Sequence, residues 1–201
     1  TGKAIDFSHQ GGIDVDIPNG GPYDLMIHGE DGSGFGSYLS AMGDVTLSLH
    51  SSLAVSAPLT SSPKVYVFYG GKRGVITFPT PIRTTWELTA HGADIVLDGS
   101  PGSSFGEAVD ISSDLNGDYR SDIVAGAPGE DKVYIFLSKK DMPLNISYLE
   151  ANYSITGDPS GLFGKSLGGA RDIVPHIKII EKHFDDLLIG APEENKAWVF
   201  F

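Results

Sequence analysis

An internal repeat limits the possible folds of this chain more than any other feature of its sequence. Three segments, which begin near residues 33, 102 and 160, each carry a Phe-Gly pair and, later, an Ala-Pro pair. The interval from Phe35 to Pro58 is 23 residues, and the interval from Phe105 to Pro128 is again 23. An insertion around residues 174–184 lengthens the third copy, and a weaker copy opens the chain. Repetition of this kind predicts a row of similar small units, each packed against its neighbours.

The repeated units are made of short β-strands. Runs such as KVYVFYG, DIVAGAP, KVYIFLS and KAWVFF have strand length and are rich in β-branched and aromatic residues, while 26 glycines and 12 prolines supply turns. A unit of about 60 residues has room for four such strands, which is typical of β-propeller blades. We therefore predict an all-β chain that forms one partial β-propeller domain over residues 1–201. Its three to three and a half four-stranded blades correspond approximately to residues 1–32, 33–101, 102–159 and 160–201.

The positions that recur in each unit are predicted to have structural roles. The phenylalanines of the Phe-Gly pairs are predicted to fill the gap between neighbouring blades, and the prolines of the Ala-Pro pairs to end a strand. The aromatic residues of the strands are predicted to lie in the blade cores. The three phenylalanines are Phe35, Phe105 and Phe163.

Composition excludes several functional classes. A net charge of −12 disfavours nucleic acid as a partner, and no apolar run is long enough for direct membrane insertion. Cysteine is absent, which excludes disulfides and thiol catalysis. The six histidines follow no metal-ligand spacing, and the sequence has no nucleophile elbow, P-loop or dinucleotide fingerprint. These observations predict a protein that is not an enzyme.

The segment DLNGDYRSD, residues 114–122, is the strongest candidate for a binding site. Oxygen-bearing side chains stand at positions 1, 3, 5 and 9 of this loop, and the backbone carbonyl of Arg120 is available at position 7. This spacing lets a curled loop direct several oxygens at one hard cation. Ca²⁺ is favoured over Mg²⁺, which requires stricter octahedral geometry. The predicted side-chain ligands are Asp114, Asn116, Asp118 and Asp122.

The other copies lack this arrangement. The loop at residues 44–52 keeps only Asp44, and hydroxyl groups replace the remaining side-chain ligands, so we predict no cation site there. In the third copy the insertion separates Asp172 from Asp185 and Asp186. The acidic residues between positions 14 and 24 have the wrong spacing. An EF-hand is also excluded, because Ala125 stands where the bidentate glutamate would be required.

The Phe-Gly pairs, the D-x-N-G-D-x-x-x-D loop and the Gly-Ala-Pro of residues 126–128 together resemble the FG-GAP repeat of integrin α subunits and related extracellular proteins. The resemblance implies a seven-bladed propeller in which the loop between the first two strands of certain blades binds Ca²⁺. It also implies a role in adhesion, ligand recognition or assembly, outside the cell or at its surface. Tyr119 departs from the family pattern, which has glycine at position 6, and this difference implies a weaker site unless Gly117 absorbs part of the turn.

Two functional classes stay open at this point. The chain is either an adhesion or recognition module for a protein ligand, or a scaffold propeller of a larger secreted enzyme or surface filament. We expect the turns at 59–64, 129–132 and 193–196 to lie near the recognition face, with Ca²⁺ at the opposite face. The chain is too short to close a propeller, so we expect it to be part of a longer propeller or to be completed by another polypeptide. Asn145 and Asn152 fit the N-glycosylation pattern.

Overall fold

The structure is a computed structural model that describes residues 25–71, 86–170, 173 and 184–201. This part of the chain contains fourteen short strands and several 3-10 turns, and no α-helix. The prediction of an all-β fold is confirmed. The strands are Leu25–His28 (β1), Leu39–Ala41 (β2), Leu53–Ala57 (β3), Lys64–Phe68 (β4), Trp86–Thr89 (β5), Ile95–Asp98 (β6), Ala108–Asp110 (β7), Ile123–Ala127 (β8), Lys132–Phe136 (β9), Asn145–Ser147 (β10), Tyr153–Thr156 (β11), Ser166–Ala170 (β12), Asp186–Ala191 (β13) and Lys196–Phe200 (β14).

Two four-stranded antiparallel meanders dominate the fold, as expected of a partial β-propeller. The first has the order β2-β3-β4-β6, and the second has the order β7-β8-β9-β11. The first three strands of each meander are consecutive in the chain, and the middle pairs have the registers Val55↔Tyr66 and, at the equivalent place, Ala125↔Tyr134. A third sheet, β12-β13-β14, has three strands within the described residues.

Two parallel strand pairs were not anticipated from the repeat pattern. β1 pairs with β5, and β10 leaves its own repeat to pair with β6 of the preceding meander. The apolar side chain of Ile146 explains the second pair, because it is 5% exposed and lies in the same core cluster as Leu97 of β6. The Val96 N–H donates to the Leu144 carbonyl at 2.6 Å and fixes the register. The first meander is therefore extended to five strands, where four were predicted.

The phenylalanines of the Phe-Gly pairs lie between sheets. Phe105 is completely buried among side chains of both meanders, such as Val65 and Ile123. Phe163 occupies the corresponding place between the second meander and the third sheet, against Val133 and Ile189. The predicted inter-blade position is confirmed for both. Phe35 is only partly buried, at the edge of a cluster that includes Tyr66.

A glycine six residues before each phenylalanine makes this packing possible. A Cβ at Gly99 would overlap the Phe105 side chain, and a Cβ at Gly157 would overlap Phe163 in the same way. The backbone therefore approaches the ring more closely than any other residue type would permit.

The described part of the chain contains no helix with the length and apolar character of a membrane span.

Candidate cation-binding loop

The loop at residues 114–122 lies between β7 and β8, at one end of the second meander. Its first residue, Asp114, organises the backbone around its own carboxylate. Asp114 Oδ1 accepts hydrogen bonds from the N–H groups of Gly117 at 2.7 Å and Asp118 at 3.1 Å, and Oδ2 accepts one from the N–H of Tyr119 at 2.6 Å. The loop is thus wound around its first side chain, as its pattern of alternating polar residues predicts.

Two residues of the loop adopt left-handed backbone conformations. Gly117 has a φ of 71°, and Tyr119 has a φ of 68°. Glycine takes this conformation without steric cost, whereas a bulky residue such as tyrosine does not. Both alternatives considered from the sequence therefore apply together: Gly117 absorbs one part of the turn, and Tyr119 bears the strain of the other.

The middle of the loop is polar and open to solvent. Asn116 Oδ1 accepts the N–H of Asp118 at 2.9 Å, and Asp118 Oδ1 accepts the N–H of Arg120 at the same distance. Asp118 is exposed, whereas Asp114 and Asn116 are partly buried. Arg120 contributes a backbone carbonyl at position 7, and its Nη1 is a buried atom without a hydrogen-bond partner among the described residues.

Asp122 ends the loop and is completely buried. Its Oδ2 accepts the N–H of Leu115 at 2.9 Å and its Oδ1 accepts the N–H of Ser138 at 2.8 Å, so the carboxylate links the loop to the end of β9. Burial raises the pKa of Asp122 to about 6, against these two hydrogen bonds and with the help of the negative charges of Asp118 and Asp114. The two backbone hydrogen bonds therefore do not fully offset the cost of burying this carboxylate.

The donors of this loop fit a hard divalent cation in their chemistry. All the predicted ligands supply oxygen, and three of them are carboxylates within nine residues. The complete burial of the Asp122 carboxylate, which is held by two backbone N–H groups, is the structural observation that a bound cation would account for. In the described ranges, however, no three His, Cys, Asp or Glu side chains form a ready-made metal centre. Cation binding would therefore have to draw the carboxylates together.

The loop at residues 44–52, between β2 and β3, has the same backbone arrangement. Asp44 Oδ1 accepts the N–H of Ser48 at 3.0 Å, and Oδ2 accepts the N–H of Leu49 at 2.7 Å. Leu47 and Leu49 have φ values of 57° and 65°, so they repeat the left-handed positions of the other loop. Despite partial burial, hydrogen bonds from the N–H groups of Ser48, Leu49 and Thr46 hold the pKa of Asp44 below its usual value.

The remaining copies are only partly visible. Asp186 stands at the position of Asp122, is completely buried, and accepts the Ile173 N–H at 2.7 Å. Asp172 and the acidic residues between positions 14 and 24 lie outside the described residues. The prediction of no intact loop in these copies stays a prediction.

Sequence reasoning missed the residues that join successive loops. The N–H of Ser121 donates to the Asp44 carbonyl, and Asp185 makes the same contact with Asp114. Ser138, whose N–H donates to Asp122 Oδ1, was also not predicted from the sequence. The only available signal was that Ser121 and Asp185 both occupy position 8 of their copies, immediately before the residue that ends the loop.

The turns predicted to lie at a recognition face follow the opposite ends of β3, β8 and β13. Two of them are short 3-10 turns, Pro128–Glu130 and Pro192–Glu194, each followed by a left-handed residue. Asp131, at the end of the first turn, accepts the N–H groups of Ser160 at 2.7 Å and Phe163 at 3.2 Å in the next repeat. This end of the fold is therefore held by turn-to-loop contacts, while the loops at 44–52 and 114–122 occupy the other end.

Both candidate glycosylation residues are exposed, but their surroundings differ. Asn145 lies in β10, whereas Asn152 precedes β11 and its Oδ1 accepts the N–H of Leu137 at 2.8 Å. Asn152 is therefore held in place by a backbone contact that involves its carbonyl oxygen.

Antiparallel meanders with phenylalanine wedges, and loops wound around an aspartate, are the structural features that correspond to the FG-GAP-like motifs of the sequence. Among known proteins, the chain is similar to integrin α chains. No family model matches the chain. It is 31% identical over 110 residues to integrin alpha-PS5 of Drosophila melanogaster, which covers 52% of this chain and 10% of that protein. It is 35% identical over 112 residues to integrin alpha-M of Mus musculus, with 52% and 9% covered.

A third relative covers more of the chain. Integrin alpha-X of Homo sapiens is 28% identical over 170 residues, which is 80% of this chain and 13% of that protein. The chain contains an integrin α-like FG-GAP region, as the resemblance in its motifs implied. The matched segments span only about a tenth of the length of the curated relatives.

Proposed function

We propose that residues 114–122 bind one Ca²⁺ ion through the side-chain oxygens of Asp114, Asn116, Asp118 and Asp122 and the carbonyl oxygen of Arg120. The observation that carries this proposal is the completely buried carboxylate of Asp122, whose pKa burial raises to about 6 and which is influenced by the negative charges of Asp118 and Asp114 in the same loop. A divalent cation relieves their mutual repulsion and offsets the cost of burying the charge.

Calcium suits this loop better than magnesium. The donors are spread along a curved backbone and include an exposed side chain, Asp118, so they form a flexible set. Ca²⁺ accepts six to eight oxygens in irregular geometry, whereas Mg²⁺ requires a tight octahedron and retains its waters. We therefore expect Mg²⁺ to bind weakly at most.

The propeller unit serves protein recognition or adhesion outside the cell or at its surface, without catalysis. The similarity to integrin α chains supports this assignment. The expected partner is a protein ligand at the end of the fold that carries the turns after β3, β8 and β13, or a polypeptide that completes the propeller. N-glycosylation at Asn145 and Asn152 belongs to the same proposal, since both side chains are exposed.

The alternative is a scaffold propeller in a secreted enzyme or a surface filament, and no contact among the described residues favours it. The full-length sequence distinguishes the two. β-Sandwich domains and a membrane span beside this region agree with adhesion. A catalytic domain, or long tandem repeats of this unit, agrees with the scaffold.

The calcium proposal is tested by denaturant unfolding of the 201-residue chain in a calcium series. At a Ca²⁺ concentration of 100 times the dissociation constant, the free energy of unfolding should rise by about 2.7 kcal/mol if the unfolded chain binds no ion. Asp118→Ala removes a ligand and should abolish this rise. Ser48→Ala is the matched control, because Ser48 stands at the same position of the loop at 44–52. An unchanged calcium response in Asp118→Ala contradicts the proposed ligand set.

A further inference from the structure

A reciprocal contact joins each loop to the next repeat. The Ser121 N–H donates to the Asp44 carbonyl at 3.1 Å, and the Asp44 N–H donates back to Ser121 Oγ at 3.1 Å. The Asp185 N–H donates to the Asp114 carbonyl at 2.9 Å, and the Asp114 N–H donates back to Asp185 Oδ2 at 2.9 Å. We refer to each of these double contacts, Asp44 with Ser121 and Asp114 with Asp185, as an inter-sheet clamp.

The two clamps have the same geometry but different charges. At the first junction the acceptor is a neutral hydroxyl, and the loop it meets carries a single carboxylate, Asp44. At the second junction the acceptor is a carboxylate, and the loop it meets already carries three. A fourth carboxylate adds negative charge to that loop, in which Arg120 is the one basic residue. The charged clamp therefore coincides with the loop that is proposed to hold a cation.

The second clamp lies at the edge of an open groove. The groove has a volume of about 610 Å³, runs between the second meander and the third sheet, and is lined by Leu115, Asn116, Asp185 and apolar residues that include Phe184 and Leu187. The hydrogen bonds of the clamp therefore join the two sheets at the border of this groove.

We propose that Asp185 is a positioning residue for the cation loop: its carboxylate holds the backbone of Asp114 and adds its charge to the site, so that cation binding and docking of the third sheet strengthen each other. The inference rests on the proposed Ca²⁺ site. Asp185 acts through Asp114, and no direct contact with the ion is required. Coupling of this kind is reciprocal, since a loop held by the clamp binds the ion more tightly and a bound ion holds the clamp closed.

Three substitutions separate the charge of Asp185 from its hydrogen bond. Asp185→Asn and Asp185→Ser keep an oxygen that can accept the Asp114 N–H, and the serine reproduces the clamp of Ser121. Both remove the charge, so the Ca²⁺ dissociation constant from calorimetry should rise by about three- to tenfold, and less at high salt. Asp185→Ala also removes the acceptor and should weaken binding by a further several-fold.

Amide hydrogen exchange of the same proteins tests the coupling directly. In the unsubstituted chain, Ca²⁺ should slow exchange at both Asp114 and Asp185, although Asp185 lies on the neighbouring sheet. In Asp185→Ala the protection by Ca²⁺ should remain within residues 114–122 and be lost at position 185. Unchanged exchange at Asp185 on addition of Ca²⁺ to the unsubstituted chain would overturn the coupling.

The possible failures are distinguishable. If the unsubstituted chain binds no Ca²⁺, the proposed function itself is wrong. If it binds Ca²⁺ and all three variants bind equally well, Asp185 has no role in the site. If the three variants are weakened to the same extent, only the charge matters and the positioning role is overturned. If Asp185→Ala does not fold, the effect of Ca²⁺ on amide exchange at Asp185 in the unsubstituted chain still tests the coupling.

Discussion

The loops at residues 44–52 and 114–122 share a backbone but differ in electrostatic state. In both, the first aspartate accepts N–H groups from positions 5 and 6, and positions 4 and 6 are left-handed. Asp44 is alone, and its hydrogen bonds hold its pKa below the usual value. Asp122 is buried beside two other carboxylates, and its pKa is raised to about 6. Backbone N–H groups therefore favour the charged form of Asp44, whereas the hydrogen bonds of Asp122 do not offset the effect of its burial.

The difference separates the shape of the loop from the carboxylates that the proposed Ca²⁺ site requires. Asp at position 1 winds the loop in both copies, because its carboxylate accepts the backbone donors. The additional carboxylates of the proposed site stand at positions 5 and 9, where Asp118 and Asp122 correspond to Ser48 and Ser52. Ser52 is buried like Asp122, but its Oγ has no hydrogen-bond partner among the described residues, so it does not reproduce the link to a neighbouring strand.

The largest expected effect lies in the packing that the two repeats share. Phe105→Ala removes a completely buried ring from the junction of the two meanders and should lower the free energy of unfolding by about 3 to 5 kcal/mol. Phe35→Ala should cost clearly less, because Phe35 is only partly buried. Denaturant unfolding with and without Ca²⁺ measures both. Near-identical stability of Phe105→Ala and the unsubstituted chain would refute the inter-sheet role of this residue.

The second effect is the pH dependence of stability without calcium. The folded-state pKa of Asp122 is about 6, above the ordinary value of 3.8, so the folded chain holds a proton that the unfolded chain releases. The resulting stabilisation is complete below pH 3.8 and is lost as the pH rises through about 6, which amounts to roughly 3 kcal/mol. Asp122→Asn should remove this slope between pH 4 and 6. Unfolding measured across this range in chelator provides the test.

Asp44 contributes to the pH dependence of stability with the opposite sign and in a different pH range. Because its folded-state pKa is lowered, its stabilisation is present above pH 3.8 and is lost as the pH falls further. If Asp122→Asn leaves the slope between pH 4 and 6 intact, the electrostatic contrast between the loops is wrong. Saturating Ca²⁺ should also remove the Asp122 contribution, because the bound cation keeps the carboxylate ionised.

A smaller effect is expected from removing the first aspartate of each loop. Asp44→Ala should cost about 2 kcal/mol, since its carboxylate accepts three backbone N–H groups and the Thr46 hydroxyl. The loss should be the same in calcium and in chelator. In chelator, Asp114→Ala should lower the free energy of unfolding by less than Asp44→Ala does, because it also relieves repulsion between the carboxylates of its loop. In calcium, Asp114→Ala should lower it by more. Equal calcium dependence in the two variants would eliminate the distinction between the loops.

The smallest effect concerns the strained position 6. Tyr119→Gly and Leu49→Gly place glycine at φ values of 68° and 65° and should each stabilise the chain by at most about 1 kcal/mol, since the gain is offset by the entropy of the unfolded chain. Tyr119→Gly should also tighten Ca²⁺ binding, while Leu49→Gly should leave it unchanged. Thermal unfolding and a calcium titration of each variant test this contrast.

The all-β fold, the strands and the phenylalanine wedges followed from the sequence because each depends on local pattern and on the interval between repeats. The parallel pair of β10 with β6 did not, because it depends on Ile146 finding space at the edge of a different repeat. In the loop, the oxygen donors were evident from their spacing. The contact between Asp114 and Asp185 joins residues 71 positions apart, and no local pattern predicts such a contact.

A calorimetric titration of the 201-residue chain with Ca²⁺ tests the central claim most directly. The account predicts binding of one ion per chain, the same binding in Asp44→Ala, and no binding heat in Asp118→Ala. Absence of calcium heat in the unsubstituted chain, or an undiminished response in Asp118→Ala, would show that residues 114–122 form only a polar turn.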